Sequence, residues 1–401
     1  MSNKKEKKPE EAKQIPLTDM FEDYFIRYGS YVICDRAIPN IDDGLKPVQR
    51  RILHATREID DGKFNKVANI TGQSMRYHPH GDAAINDAIV HIGQKNILLD
   101  LQGNWGNIIT GDGAAAGRYI EARLSKFAKE VVFNEKLTEW SVSYDGRFRE
   151  PKALPVKFPL VLFTGAEGIA VGLSTKILPH NFNAICDAAI ANLKGEEFKL
   201  YPDFPTGGTA DVRDYNDGMS GGRVRVRAKI EAIDDRRLRI SEIPFETTTT
   251  SLIESILSAN DKGKIKIKNI EDNTAGSVDI TINLAPGESA QKTIDALYAF
   301  TKCENTIYPT CCVIDNHRPV FLSVSELLTR SVERTKDLLM KELEIAAQEL
   351  EAKIKNLSLE KLFIAEKMYQ HLEKASSYED AVRIVMQKIT LVWWFVLDEG
   401  L

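Results

Sequence analysis

No apolar run in this 401-residue chain approaches the roughly 18 residues needed to cross a bilayer. The opening stretch, Met1 to Gln14, is a Lys/Glu run without the apolar segment of a secretory signal. It reads instead as a solvated, disordered arm. Cysteine is scarce: Cys34, Cys186, Cys303, Cys311 and Cys312 make an odd set with no C-x-x-C spacing. That pattern excludes a zinc ribbon and argues against a disulfide framework, so a reducing cytoplasm is expected. An excess of positive charge is missing too. Lys and Arg number 53 against 58 Asp and Glu, a net charge of −5. Any nucleic-acid site must therefore be a local basic patch rather than a property of the whole surface. No repeat of 20–50 residues marks a solenoid.

What is present suits a globular chain of two or three domains, with 43% hydrophobic and 28% charged residues. Leu17 to Cys34 reads as a helix with Thr18 as N-cap. Arg36 to Lys46 is a Pro/Asp/Gly connection, and Pro47 suits the first position of the next helix. Two short helices are expected over Lys66 to Met75 and Asp82 to Gln94, separated by Tyr77-His78-Pro79-His80-Gly81. Asp82 is an N-cap type, and Ala84, Ile85, Ala88, Ile89 and Ile92 give the second helix a buried face. Ile97 to Leu101 and Asn107 to Ile109, around Gln102-Gly103-Asn104-Trp105-Gly106, read as a hairpin. A helix-turn-helix followed by a hairpin is the winged-helix pattern, though buried helix pairs can look the same. A Gly/Ala-rich loop ends at Tyr119, and a helix is expected over about Ile120 to Val132.

From about Glu150 the texture changes. Val224 to Ile230, Leu238 to Ile243, Ile265 to Ile270, Val278 to Leu284 and Thr306 to Ile314 alternate or are β-branched and read as strands. Helices near Thr249 to Ser258 and Ala290 to Thr301 interrupt them. From Ser323 the chain reads as helical. Leu328, Val332, Leu339, Leu343, Ala346, Leu350, Ile354 and Leu357 have near-heptad spacing. Ser376 and Glu379 suit a capping box. The run Leu391 to Leu397 lacks a helical stripe and reads as an aggregation liability if exposed.

Ordered motifs then carry a resemblance. Arg36-Ala37-Ile38-Pro39 and Asp43-Gly44-Leu45-Lys46-Pro47-Val48-Gln49-Arg50-Arg51 come first, then Tyr77-His78-Pro79-His80-Gly81-Asp82 and Gln102-Gly103-Asn104-Trp105-Gly106. Ala114-Ala115-Ala116-Gly117-Arg118-Tyr119, Gly168-Ile169-Ala170-Val171-Gly172 and Phe204-Pro205-Thr206-Gly207-Gly208 follow. In this order they resemble the A subunits of type IIA topoisomerases, gyrase and topoisomerase IV, over about residues 20 to 385. The resemblance implies an α+β multidomain chain: a disordered arm over 1–16, a winged-helix breakage-reunion domain over 17–150, an α+β tower domain over 151–322, and coiled-coil helices over 323–401. The returning arm of that coiled coil is missing, so the chain is expected to be a fragment.

The resemblance implies that Tyr119 is the nucleophile forming a 5′-phosphotyrosyl bond with DNA, and that Arg118 stabilises the attacked phosphate. A phenolate attacks well, yet leaves more readily than an alkoxide when the strand is resealed. Its ordinary pKa near ~10 means it needs help to ionise, and an always-charged guanidinium suits the phosphate. Arg36, Lys46 and His80 resemble supporting residues at the phosphate. His78 joins His80 in an H-x-H pair without an obvious third metal ligand, so no metal is expected in this chain. Lys46, Arg50, Arg51, Lys63, Lys66 and Arg76 suit phosphate contacts, although such residues also make ordinary solvated surfaces. Ile169 resembles the apolar residue that wedges between base pairs; the bland alternative is a core isoleucine. Tyr119 taken alone could equally be a buried aromatic.

No ATPase motif and no Toprim-like acidic cluster is seen, so Mg²⁺ and ATP are expected on the family's companion B subunit. The implied partners are double-stranded DNA, a second copy of this chain and that companion in an A2B2 heterotetramer, with no membrane. A winged-helix regulator that merely binds DNA is the rival reading, but it leaves Arg118-Tyr119 unexplained. Two residues depart from the gyrase pattern. Gln49 stands where His is common. Ala83 replaces the Ser that, with the acid at Asp87, anchors fluoroquinolones. Gln49 and the 102–106 turn lean toward topoisomerase IV.

Overall fold

The computed structural model describes residues 17–372, 375 and 377–387. The arm over 1–16, Ser376 of the expected capping box and the run Leu391 to Leu397 lie outside the described residues. The chain divides into two compact units, Met1–Lys336 and Asp337–Leu401. Its mixture of helix and sheet is the expected α+β class.

In the first unit, α1 (Leu17–Val32) runs into a π-helical turn over Ile33–Ala37. Thr18 lies inside the helix. Ile38 is extended, as the residue before a proline tends to be. Helix α2 (Pro47–Glu58) opens on Pro47, and the Gln49 side chain accepts from the Lys46 N–H at 2.9 Å. Its Ile52, Leu53 and Ala55 face inward. Strand β1 (Asn65–Lys66) precedes α3 (Val67–Ser74), and the 75–81 turn leads into α4 (Asp82–Gln94). Gly81, not Asp82, is the N-cap of α4. Asp82 sits in the first turn, where its carboxylate meets the positive end of the helix dipole. Ile85, Ile89 and Ile92 are buried as expected, whereas Ala84 is exposed.

The expected hairpin is corrected. Strand β2 (Leu99–Gln102) pairs with β3 (Glu121–Leu124), not with 107–109, which makes only an Asn107–Asp112 bridge. Trp105 packs tightly on Gly93 of α4, where an added Cβ would come within 2.7 Å of its ring. The turn is thereby pinned to the helix and cannot fold straight back along β2. The expected helix from Ile120 is corrected with it. Ala122 and Leu124 alternate into the core as a strand does. Helix α5 (Lys126–Val131) begins only after Ser125, whose hydroxyl accepts from the Ala128 N–H at 3.0 Å. Strands β4 (Glu139–Val142) and β5 (Arg149–Ala153) form a hairpin. One core joins α2, α3, α4, β2, β3 and α5, from Leu45 to Leu160.

Next come α6 (Leu160–Thr164), the hairpin β6 (Ala166–Ile169) and β7 (Ser174–Ile177), and α7 (Phe182–Lys194), capped by Asn181. Strands β8 (Thr209–Asp211), β9 (Val224–Arg227), β10 (Lys229–Asp234) and β11 (Arg237–Glu242) precede α8 (Thr249–Asp261). Then follow β12 (Ile267–Asp272), β13 (Ile280–Leu284), α9 (Ala290–Phe300), β14 (Glu304–Ile307), β15 (Cys312–Asp315) and β16 (Arg318–Phe321). A four-stranded sheet has the order β10-β11-β13-β12. Its Leu238, Ile240, Ile280 and Ile282 pack against Leu252, Ile256 and Leu297 of α8 and α9. The strands lie where alternation places them. The stretch Val224 to Ile230 divides at Ala228. Thr306 to Ile314 divides around Pro309, which has no N–H for a ladder.

Helix α10 (Val324–Ala365) starts at a capping box: the Ser323 hydroxyl accepts from the Glu326 N–H, and the Glu326 carboxylate accepts from the Ser323 N–H. Leu328 and Val332 are buried in the first unit. In the second unit Leu339, Leu343, Leu350, Ile354 and Leu357 are exposed, and α11 (Tyr369–Leu372) and a helix over 378–387 follow. Among the described residues no helix is long and apolar enough to cross a membrane.

Candidate nucleic-acid interface

Five of the expected site residues meet at one cleft of about 520 Å³. Arg36, Lys46, His78, His80 and Ile169 line it together with Tyr28 of α1. Arg36 comes from the π-helical turn and Lys46 from the residue before α2. The two histidines come from the turn before α4, and Ile169 from the end of β6. The Lys46 ammonium donates to the Glu167 carbonyl at 2.5 Å. Burial pulls its pKa below the usual lysine value, with Glu167 opposing the shift.

His78 is buried, and its backbone N–H donates to the Ser74 carbonyl at 3.0 Å. Burial pushes its pKa down to about 4, helped by the positive Arg51 and by His80 and Arg36. At neutral pH the ring is therefore uncharged. It lies 4.8 Å from the His80 ring between centroids. His80 shares a hydrogen bond with the Tyr31 hydroxyl at 2.9 Å. Ile169 is 81% exposed, which removes the core-isoleucine alternative.

Arg50 is corrected: it is buried, and its guanidinium binds Asp43 through two hydrogen bonds and the Leu45 carbonyl through a third. It holds the 43–45 turn and has no open face for a phosphate. Burial alone would lower its pKa, but the Asp43 carboxylate reverses the effect. The Asp43 side chain has 0% exposure and also accepts from the Leu45 and Leu154 N–H groups. Arg51, one residue on, pairs with Glu150 at 2.6 and 3.1 Å. Lys66 pairs with Glu121 on a half-exposed surface, and Arg76 stacks 3.9 Å from the centre of the Phe148 ring. Lys66 and Arg76 do not line the cleft.

Tyr119 and Arg118 do not line it either. They form a turn just before β3, in which the Tyr119 N–H donates to the Ala116 carbonyl at 2.8 Å. Tyr119 is 64% exposed, so it is no buried aromatic, and the Arg118 guanidinium lies 4.6 Å from its ring centre. The approach loop is held at both ends. The Ala115 N–H donates to Asn104, and the Gly117 carbonyl accepts from Ala68. The Ile109 carbonyl accepts from the Thr249 N–H of α8 at 2.9 Å. Ala83 and Asp87 are both exposed, one turn apart on α4. Among the described residues, no group of three or more His, Cys, Asp or Glu could hold a metal ion.

Sequence reasoning missed Tyr28, Tyr31, Asp43 and Glu150. The i, i+3 pair Tyr28 and Tyr31 was a usable signal. Glu150 carried none, because its partner lies 99 positions away.

Comparison with known proteins points the same way. The family of DNA gyrase/topoisomerase IV A subunits matches residues 36–392. The A subunit of DNA topoisomerase 4 from Borreliella burgdorferi is 45% identical over 373 residues, covering 93% of this chain and 59% of that protein. The DNA gyrase A subunit of Staphylococcus epidermidis is 35% identical over 356 residues, covering 82% of this chain and 40% of that protein. The gyrase A subunit of Deinococcus deserti is 37% identical over 318 residues, covering 73% and 39% respectively. The chain thus spans from about two-fifths to three-fifths of the length of these relatives.

Proposed function

This chain belongs to the family of DNA gyrase/topoisomerase IV A subunits, and from that premise we propose that it is the DNA-cleaving part of an ATP-dependent type II topoisomerase. The observation that carries the reading is Tyr119, exposed on a held turn with Arg118 against its ring. In the reaction, the phenolic oxygen of Tyr119 bonds to a backbone phosphorus as the bond from phosphorus to the 3′ oxygen breaks. The phenol loses its proton, and the departing 3′ oxygen takes one up. The strand end stays attached as a 5′-phosphotyrosyl ester, and the reverse steps reseal it. Arg118 offsets the charge that builds on the phosphate.

The cleft supplies the grip on the backbone. Arg36, Lys46, His78 and His80 offer positive charge and N–H donors there, with Arg51 behind His78 and with Lys66 and Arg76 on flanking phosphates. Ile169 enters between base pairs and bends the duplex. We read 17–150 as the winged-helix breakage-reunion domain, 151–322 as the tower and 323–401 as coiled-coil helices. The described residues offer no fitting set of metal ligands, so no step of this chain is routed through a metal. Mg²⁺ and ATP belong to the companion B subunit, in an A2B2 assembly built around a homodimer of this chain and acting on DNA in the cytoplasm. Mg²⁺ would neutralise charge on the attacked phosphate.

The test is to incubate the chain with its companion B subunit, Mg²⁺, ATP and supercoiled DNA and to map the adduct by peptide mass. A 5′-linked nucleotide on Tyr119 is expected. Tyr119→Phe should abolish it while DNA binding stays at the wild-type level. Covalent complexes persisting in that variant would overturn the assignment.

A further inference from the structure

We propose that Glu150 is a positioning residue which, acting through Arg51, fixes the nitrogen of His78 that carries the proton. The inference rests on the reading that the cleft grips a DNA phosphate. Arginine has five N–H donors and no acceptor. The Arg51 Nη1 lies 3.2 Å from the His78 Nδ1, so that nitrogen must be the acceptor. A neutral imidazole then carries its proton on Nε2. Nε2 is the nitrogen left to the cleft, where an N–H donor suits a phosphate oxygen and a lone pair would repel it.

Arg51 can enforce this only if it cannot swing away, and Glu150 supplies that restraint. Its Oε2 accepts from Arg51 Nε at 2.6 Å, and its Oε1 accepts from Nη2 at 3.1 Å. This two-pronged grip sets the plane of the guanidinium and aims Nη1 at the ring. The two side chains are 19% and 11% exposed, so water screens them little. Glu150 is itself fixed on β5 by pairing with Ser141 of β4, whose hydroxyl donates to the Glu150 carbonyl at 3.3 Å. Three elements distant in sequence, β5, α2 and the 75–81 turn, thus form one line ending at the cleft. Arg36 and His80 also face the ring. Neither offers the restraint, because His80 is itself engaged with Tyr31.

The test begins with the whole chain, labelled with ¹⁵N histidine, at neutral pH. His78 is assigned by comparison with His78→Gln. Long-range proton–nitrogen spectra should show Nε2 protonated and Nδ1 bare. A proton on Nδ1, or an averaged pair, overturns the proposal. Glu150→Gln should then give averaged nitrogens. With the companion B subunit, Mg²⁺ and DNA, it should lower adduct formation at saturating DNA by about 10-fold, the loss of one hydrogen bond to a charged group, with little change in half-saturating DNA. A folded Glu150→Gln that keeps the wild-type nitrogen signature overturns the proposal and makes the pair a plain clamp between α2 and β5. Arg51→Lys keeps the charge and loses the fork, and is read the same way should Glu150→Gln not fold. The expected spectrum without any Tyr119 adduct would sink the functional reading and leave the relay standing. An adduct with the wrong nitrogen protonated would do the reverse.

Discussion

In the part of the chain that carries the cleft, Arg50, Asp43 and Glu150 are buried and paired. On the sheet β10-β11-β13-β12 the same residue types are paired at the surface. Arg50 and Asp43 are 9% and 0% exposed, whereas Arg239 and Asp279 are 49% and 33% exposed. The first pair is surrounded by further hydrogen bonds from Leu45 and Leu154, so neither partner can be withdrawn without stranding the other. The second pair exchanges its partner for water at little cost. Charge in the first region fixes geometry; charge on the sheet mainly keeps a face wet.

The largest effect should follow from breaking the buried pair. Asp43→Ala leaves Arg50 charged and enclosed, and is expected to cost about 3–5 kcal/mol of stability, measured by urea denaturation. A loss under ~1 kcal/mol would erase the distinction between the two regions.

Acid should act away from the sheet, through buried histidines. His78 and His180 are both held neutral by burial, with pKa values pushed down to about 4 from 6.5. Between those values the unfolded chain binds protons that the folded chain refuses. Stability should therefore fall as pH drops from about 6.5 toward 4, by up to ~1.4 kcal/mol per pH unit for each ring, and stay flat on this account above 6.5. His180→Gln should flatten that slope in melts taken across the range. An unchanged slope would remove His180 as a cause. The strands and turns over 229–284 contain no histidine, so the sheet contributes nothing of this kind.

A smaller effect concerns the exposed face of α4. If, as the family resemblance implies, Ala83 and Asp87 mark a fluoroquinolone site, Ala83 lacks the hydroxyl that would join Asp87 there. Ala83→Ser should strengthen drug-stabilised cleavage by on the order of 1 kcal/mol, one net hydrogen bond. Equal sensitivity of the two proteins would show that the hydroxyl is not what the drug uses. The smallest effect belongs to the sheet. Asp279→Ala should change stability by less than ~1 kcal/mol, and a loss near that of Asp43→Ala would mean the surface pair is structural after all.

The two regions also differ in how far they could be read in advance. The sheet announces itself locally, because Leu238 and Ile240, or Ile280 and Ile282, repeat at the period of a pleat. Helix α4 does the same with Ile85, Ile89 and Ile92. The motif around Tyr119 was legible as a family resemblance, but its exposure was not. Arg50 and Arg51 are adjacent and identical, and no local pattern says that one turns to Asp43 and the other to Glu150. Residues 120–124 fit a helix as well as a strand until β2, some twenty positions earlier, supplies the partner. The cleft depends on meetings such as Tyr31 with His80, 49 positions apart. Local periodicity carries no record of such contacts.

The hairpin that carries Ile169 is also a cantilever, and its usefulness depends on its mounting. Strand β7 is braced where the Thr175 hydroxyl donates to the Cys312 carbonyl at 2.7 Å and where Lys176 and Thr310 exchange backbone hydrogen bonds. Directly across the ladder, on β6, Gly168 presses on the Ala37 carbonyl so closely that no side chain would fit, and Glu167 is tied to Lys46. A beam clamped from both sides at one level, just behind its tip, has little slack. Any load on Ile169 is carried into the segment of Arg36 and Ala37 and into Lys46, so bending work done at the tip would reach the side chains proposed to grip the DNA backbone.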